Sequence, residues 1–133
     1  MKIKMAKYTE IQNEVIEKYN VDICNGDKCS NDWSRTHAHI KERRVCKWQQ
    51  KNSINSTFTL LHEIGHLETT KRTMRRCESE YYATLWAIDR CKEYGIKIPT
   101  KIIERYQDYI DNEKIRGEIR GGSNYKEMIL PTE

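Results

Sequence analysis

The chain has 133 residues, of which 37% are apolar and 33% charged, and its formal net charge is +4. That length suits one domain able to bury a core without disulfide support, and the apolar share is too high for a disordered chain. No run approaches the ~20 apolar residues of a membrane-spanning helix, and the small basic excess is interspersed with acidic residues, which argues against nucleic acid as a partner. Met1 to Lys7 is basic, but Tyr8-Thr9-Glu10 follows where a signal peptide needs an apolar run. A cytoplasmic protein is therefore expected. Five cysteines, Cys24, Cys29, Cys46, Cys77 and Cys91, favour free thiols over a disulfide framework.

In chain order, the first predicted element is a helix over residues 6–19. Ile11, Val15, Ile16 and Tyr19 recur at helical spacing, with Thr9 as N-cap. Asn20 to Ser34 reads as irregular, with a turn at Asn25-Gly26-Asp27. Thr36 to Ile40 and Arg44 to Trp48 alternate as two short strands joined by Lys41-Glu42-Arg43. Asn52 to Ser56 is a helix-start signal, and a helix follows from Thr57 to about Thr69. A basic loop precedes a second long helix, Met74 to Tyr94, closed by Gly95. Pro99 and Thr100 open a third, with Ile102, Ile103, Tyr106, Tyr109 and Ile110 as its apolar stripe. Gly117, Gly121 and Gly122 end it, and a flexible tail is expected from about residue 121. The fold class implied is α+β, mainly helical, with a small antiparallel sheet beside the first long helix.

The chemistry concentrates in His62-Glu63-Ile64-Gly65-His66. The two histidines lie one helical turn apart, so both imidazoles leave the same face and can reach one zinc ion at ~2.0–2.1 Å. In an HExxH arrangement the intervening carboxylate, Glu63, stays off the metal. It takes a proton from the metal-bound water and passes it to the leaving amine. Phe58, Leu60, Leu61, Ile64 and Leu67 surround the histidines, so the helix is expected to be buried and its imidazoles to need partners. Gly65 lets another element approach the metal helix closely. A catalytic zinc site takes a third protein ligand, and Glu78 and Glu80 both offer one. Glu80 shares the small, inward-looking face of its helix with Cys77, Thr84, Ala87 and Cys91, whereas Glu78 shares a mixed face with Tyr82, Leu85 and Asp89. Glu80 is the preferred ligand and Glu78 the alternative.

The block Phe58 to Leu67 resembles the metal helix of the ImmA/IrrE family of bacterial and phage metallopeptidases, and Glu80-Tyr81-Tyr82-Ala83 is similar to the ExxA with which such gluzincins supply their glutamate ligand. Thr84 stands where an Asp or Asn usually follows that alanine. The resemblance implies a compact helix-and-small-sheet fold and one zinc ion held by His62, His66 and Glu80, with Glu63 catalytic. It also implies a cytosolic regulatory protein as substrate, such as a transcriptional repressor on a phage or mobile element.

Three other groups carry sequence-level expectations. His37 and His39 share one strand face beside the metal helix, where they could contact substrate or stabilise an oxyanion; Tyr81 is a further oxyanion candidate. Cys24, Cys29 and Cys46, with a histidine, could form a second metal site. Cys77 and Cys91 read as buried small hydrophobes. The reading of a zinc metallopeptidase competes with that of a zinc-stabilised regulatory module that binds a partner without turnover. Glu63 favours the enzyme, because a structural zinc site has no use for an unliganded carboxylate.

Overall fold

The structure, a computed structural model, describes residues 7–24, 36–119 and 127–131. Its elements run α1 (Lys7–Lys18), β1 (Asp22–Cys24), β2 (His37–His39), β3 (Arg44–Cys46), α2 (Ile54–Thr69), α3 (Arg76–Glu93) and α4 (Thr100–Ile119). The α+β, mainly helical class expected from the sequence is what is found. The turn expected at Asn25-Gly26-Asp27, and Cys29, lie outside the described residues.

The strand order is β1-β3-β2. The β2–β3 pairing is antiparallel, as expected for a hairpin, but β1 joins the other edge of β3 in parallel. The sheet is therefore mixed. Ile23, Val45 and Ala38 form one row across it and turn toward the core, while Cys24, Cys46 and His37 form a row on the opposite face. The hairpin turns at Arg43, whose φ of 52° places a non-glycine residue in the left-handed region. The Arg43 guanidinium holds that turn in place. Its Nη2 donates to the Tyr19 carbonyl at 2.7 Å and also pairs with Glu68 on α2.

Helix α2 is the centre of the packing. Phe58, Leu60, Leu61 and Ile64 are almost wholly buried, and the helix faces α3 along its length while α1, β2 and β3 lean on its other sides. Its start is fixed locally. The Ser53 side chain accepts from the Ser56 amide at 3.1 Å, satisfying one of the unpaired amides of the first turn. Helix α1 is capped differently from the expected Thr9 N-cap. Thr9 lies inside the helix, and the amides of Tyr8 and Thr9 donate to Asn52 Oδ1 at 3.0 and 3.3 Å. Buried Gln12 adds a second tie, its Nε2 donating to Lys51 O and Thr57 Oγ1, both at 2.8 Å.

Residues 127–131 pack against the fold. Met128 and Leu130 are buried. Gln107 receives that strand-like stretch as a backbone partner would, donating to Met128 O at 2.9 Å and accepting from Leu130 N at 2.7 Å.

Gly65 shows why α2 and α3 can meet so closely. A Cβ built there would lie 2.5 Å from the Ala83 carbonyl oxygen and 3.0 Å from the Ala83 Cα. Both are α3 backbone, which cannot swing aside as a side chain would. Gly65→Ala is expected to lower unfolding stability by about 1–3 kcal/mol through overpacking, read as a fall in the urea midpoint at constant slope. Helix propensity alone would instead raise stability by ~1 kcal/mol. A rise would show that the helices part at no cost.

Candidate metal centre

Helical geometry sets His62 and His66 one turn apart on the α3-facing side of α2. Glu80 stands in the second turn of α3 and meets both. His62 Nε2 lies 3.0 Å from Glu80 Oε1, and His66 Nε2 lies 3.3 Å from Glu80 Oε2. The nitrogen, nitrogen and oxygen donors of the three residues all fall within 4.8 Å of one another. His62 is 4% exposed and Glu80 8% exposed, so the donors converge where little water reaches them. Burial works against the Glu80 charge, but hydrogen bonds and attraction from the two histidines outweigh it and hold the carboxyl far below its usual range. The same contacts push His66 up, against the desolvation that would lower it.

Glu78, the alternative ligand, is otherwise engaged. Its Oε1 accepts from the Arg75 amide at 2.9 Å, so it closes the N-terminus of α3. The two glutamates, two residues apart, point in different directions on the helix and serve different ends.

The outer contacts of the histidines fix their chemistry. Thr84 Oγ1 donates to the Glu80 carbonyl at 2.7 Å and lies 3.1 Å from His62 Nδ1. The hydroxyl has one proton, and the carbonyl takes it. The Nδ1 contact must then be an N–H donating to the Thr84 oxygen. With Nδ1 holding its proton toward Thr84, Nε2 is the nitrogen aimed at Glu80: it donates to the carboxylate while protonated, and on losing that proton it presents the lone pair a metal ligand requires. Thr84 thus performs the orienting task for His62 that a carboxylate or amide performs elsewhere. His66 Nδ1 rests between two hydroxyls, Thr70 Oγ1 at 3.2 Å and Ser79 Oγ at 3.1 Å, which are 2.7 Å from each other.

Glu63 lines the same cleft but is not among the converging donors. Burial raises its carboxyl pKa, with the neighbouring histidines pulling the other way. The cleft, about 420 Å³, is also walled by Thr36, Thr59, Arg76, Arg105, Tyr106 and Tyr109. Tyr106 was expected only as part of an apolar stripe. Its ring instead packs on His62 at a centroid separation of 4.7 Å, and burial pushes its hydroxyl pKa up to about 12. Arg76 Nη2 donates to the Tyr109 hydroxyl at 3.2 Å. The recurrence of Tyr106 and Tyr109 at helical spacing signalled a buried face, and a tyrosine's polar tip gives no separate signal of where it points.

Tyr81, His37 and His39 do not wall this cleft. The Tyr81 hydroxyl lies 3.5 Å from the Ile129 carbonyl and its ring abuts Tyr82. His37 and His39 lie on β2 with Cys46 across from them, their ligand atoms within 4.8 Å of one another. Cys24 adjoins Cys46 in a small buried cluster separate from the main core. Cys77 and Cys91 are buried thiols, as expected, and burial pushes the Cys91 thiol pKa up to about 12. Cys24 is also a thiol, whereas Cys46 is disulfide-bonded, contrary to the expectation of thiols throughout.

No family model, curated protein or solved structure matches the chain. The site therefore stands on its own geometry. His62, His66 and Glu80 fit a divalent metal ion: their donors are of the right type, number and proximity, and a tautomer-setting partner is in place.

Thr84→Val removes the hydroxyl at nearly constant volume. It is expected to weaken metal affinity by about 10–100-fold while leaving helicity unchanged, measured by competition with a chromophoric chelator. Unaltered affinity would mean that His62 needs no orienting partner.

Proposed function

We propose that this protein is a zinc-dependent metallopeptidase of the ImmA/IrrE kind, cleaving a protein substrate, with a phage or mobile-element regulatory protein as the class the resemblance implies. The observation that carries the reading is the convergence of His62, His66 and Glu80 on one point, with Glu63 facing the same cleft. Zinc held there would polarise the scissile carbonyl and bring the pKa of water toward ~7.

The chain's own groups supply the rest of the reaction. Glu63 takes the proton of the attacking water and delivers it to the departing nitrogen, so one carboxyl serves both halves of the hydrolysis. Tyr109 accepts a hydrogen bond from Arg76, which leaves its own proton to stabilise negative charge developing on the carbonyl oxygen. Thr84 holds His62 in its ligating tautomer throughout.

The surroundings suit an extended peptide. A second depression of about 780 Å³ lies along the start of α2 and shares Thr36 and Thr59 with the metal cleft. It is larger than the metal cleft but holds none of the converging donors, so it supports substrate binding and not the chemistry. The two adjoin at Thr36 and Thr59. Among the described residues β2 is the outer strand of the sheet next to Thr36, and an outer strand of this kind can lie alongside an extended peptide. Arg76 and Arg105 in the cleft wall favour acidic side chains or a carboxylate near the cleaved bond.

Glu63→Gln is expected to bind zinc as the unaltered protein does and to lose about 10²–10⁴-fold in turnover of a quenched-fluorescent peptide library. A zinc-loaded protein that cleaves no member of such a library or of a candidate protein pool, or a Glu63→Gln variant that cleaves as well as wild type, would refute the enzyme reading.

A further inference from the structure

We propose that the sheet carries a second metal site, in which His37, His39 and Cys46 bind one zinc ion when Cys46 is reduced. The backbone builds this cluster without help from the helices. Alternation along a strand puts His37 and His39 on one face of β2. The antiparallel register sets His37 directly opposite Cys46 on β3, so all three side chains leave the same face of the sheet. Their two ring nitrogens and one sulfur lie within 4.8 Å of one another, and the imidazole rings meet edge to face at 5.0 Å.

With Zn–N distances of ~2.0 Å and Zn–S of ~2.3 Å, two nitrogens and one sulfur in a tetrahedral site are separated by about 3.3–3.5 Å. Rotation of the two imidazoles and of the reduced Cys46 about their side-chain torsions is the movement that closes the remaining gap. The donor chemistry selects the ion: two imidazoles and a thiolate suit zinc and other borderline-soft cations and exclude magnesium and calcium. Burial adds to the case, since Cys46 is 0% and His37 5% exposed, and one coordination position remains for a further donor.

Cys46 is disulfide-bonded in the structure, and a sulfur in that state is no thiolate ligand. A thiol reductant supplies the two electrons and two protons that convert the disulfide to two thiols and is itself oxidised to a disulfide. Metal binding then displaces the Cys46 thiol proton to solvent. Metal and disulfide are alternative occupants of one sulfur, and none of the three donors lines the His62–Glu80 cleft, so the site is independent of whether that cleft hydrolyses peptides.

Cobalt(II) tests the proposal, because thiolate ligation produces a near-ultraviolet sulfur-to-cobalt charge-transfer band that a site of two imidazoles and a carboxylate cannot give. The reduced full-length protein, titrated with cobalt under anaerobic conditions, is expected to show the band, and added zinc should bleach it. Glu80→Ala should retain it and Cys46→Ser should lose it. His39→Ala, altering a half-buried position less prone to unfold the chain, should weaken cobalt binding at this band by about tenfold or more. A reduced wild-type protein without the band overturns the proposal. So does a band that survives in folded Cys46→Ser, persists in protein whose Cys46 disulfide is kept intact, or is unchanged in strength and affinity by His39→Ala.

Discussion

The pairing of buried Glu80 with His62 and His66 is the constraint around which the rest is arranged. A carboxylate moved into a low-dielectric interior is costly unless its charge is met by partners of matching geometry. Here two imidazoles from one helix bracket it at 3.0 and 3.3 Å. For that to happen, α2 and α3 must run close and hold a fixed rotation about their axes. Gly65 allows the approach, since any side chain there would strike the Ala83 backbone. Thr84 fixes the outer nitrogen of His62, and Tyr106 from α4 closes over the ring. The functional and the packing demands on these helices are met by the same contacts.

The remaining elements hold this pair in place. α1 is sewn to the start of α2 through Asn52 and Gln12. The hairpin is tied to the end of α2 through Arg43 and Glu68, and the stretch 127–131 is held against α4 by Gln107. Asn52, Gln12 and Gln107 each satisfy backbone groups of a distant segment, whereas Arg43 and Glu68 meet side chain to side chain. No helix among the described residues is long and apolar enough to cross a membrane, in keeping with a chain that uses its apolar residues to bury one helix pair.

What could be read from the sequence was what local periodicity encodes. Two histidines one turn apart, a glycine between them and a glutamate on a small-residue face were enough to place His62, His66, Gly65 and Glu80, because each lies on a helix whose faces follow from spacing alone. The hairpin was legible from alternation. β1 was not: three residues with one apolar centre carry no periodic signal, and its parallel pairing with β3 depends on a partner more than twenty positions on. The long-range cap of α1 by Asn52 escaped for the same reason, and local propensity pointed to Thr9. Thr84 was legible as small but not as a hydrogen-bonding partner, since that role exists only once α2 is in place. Tyr106 and Tyr109 fell in with an apolar stripe whose ends, not whose bodies, reach the cleft.

The central claim is that His62, His66 and Glu80 form one metal site, and it is tested most directly by counting zinc on the reduced protein and on a Glu80→Ala variant by equilibrium dialysis and elemental analysis, with circular dichroism to confirm that the variant keeps its helices. The account requires the variant to lose one equivalent of zinc, or to bind that equivalent at least about tenfold more weakly. A folded variant that binds as many equivalents as wild type, with the same affinity, would contradict it.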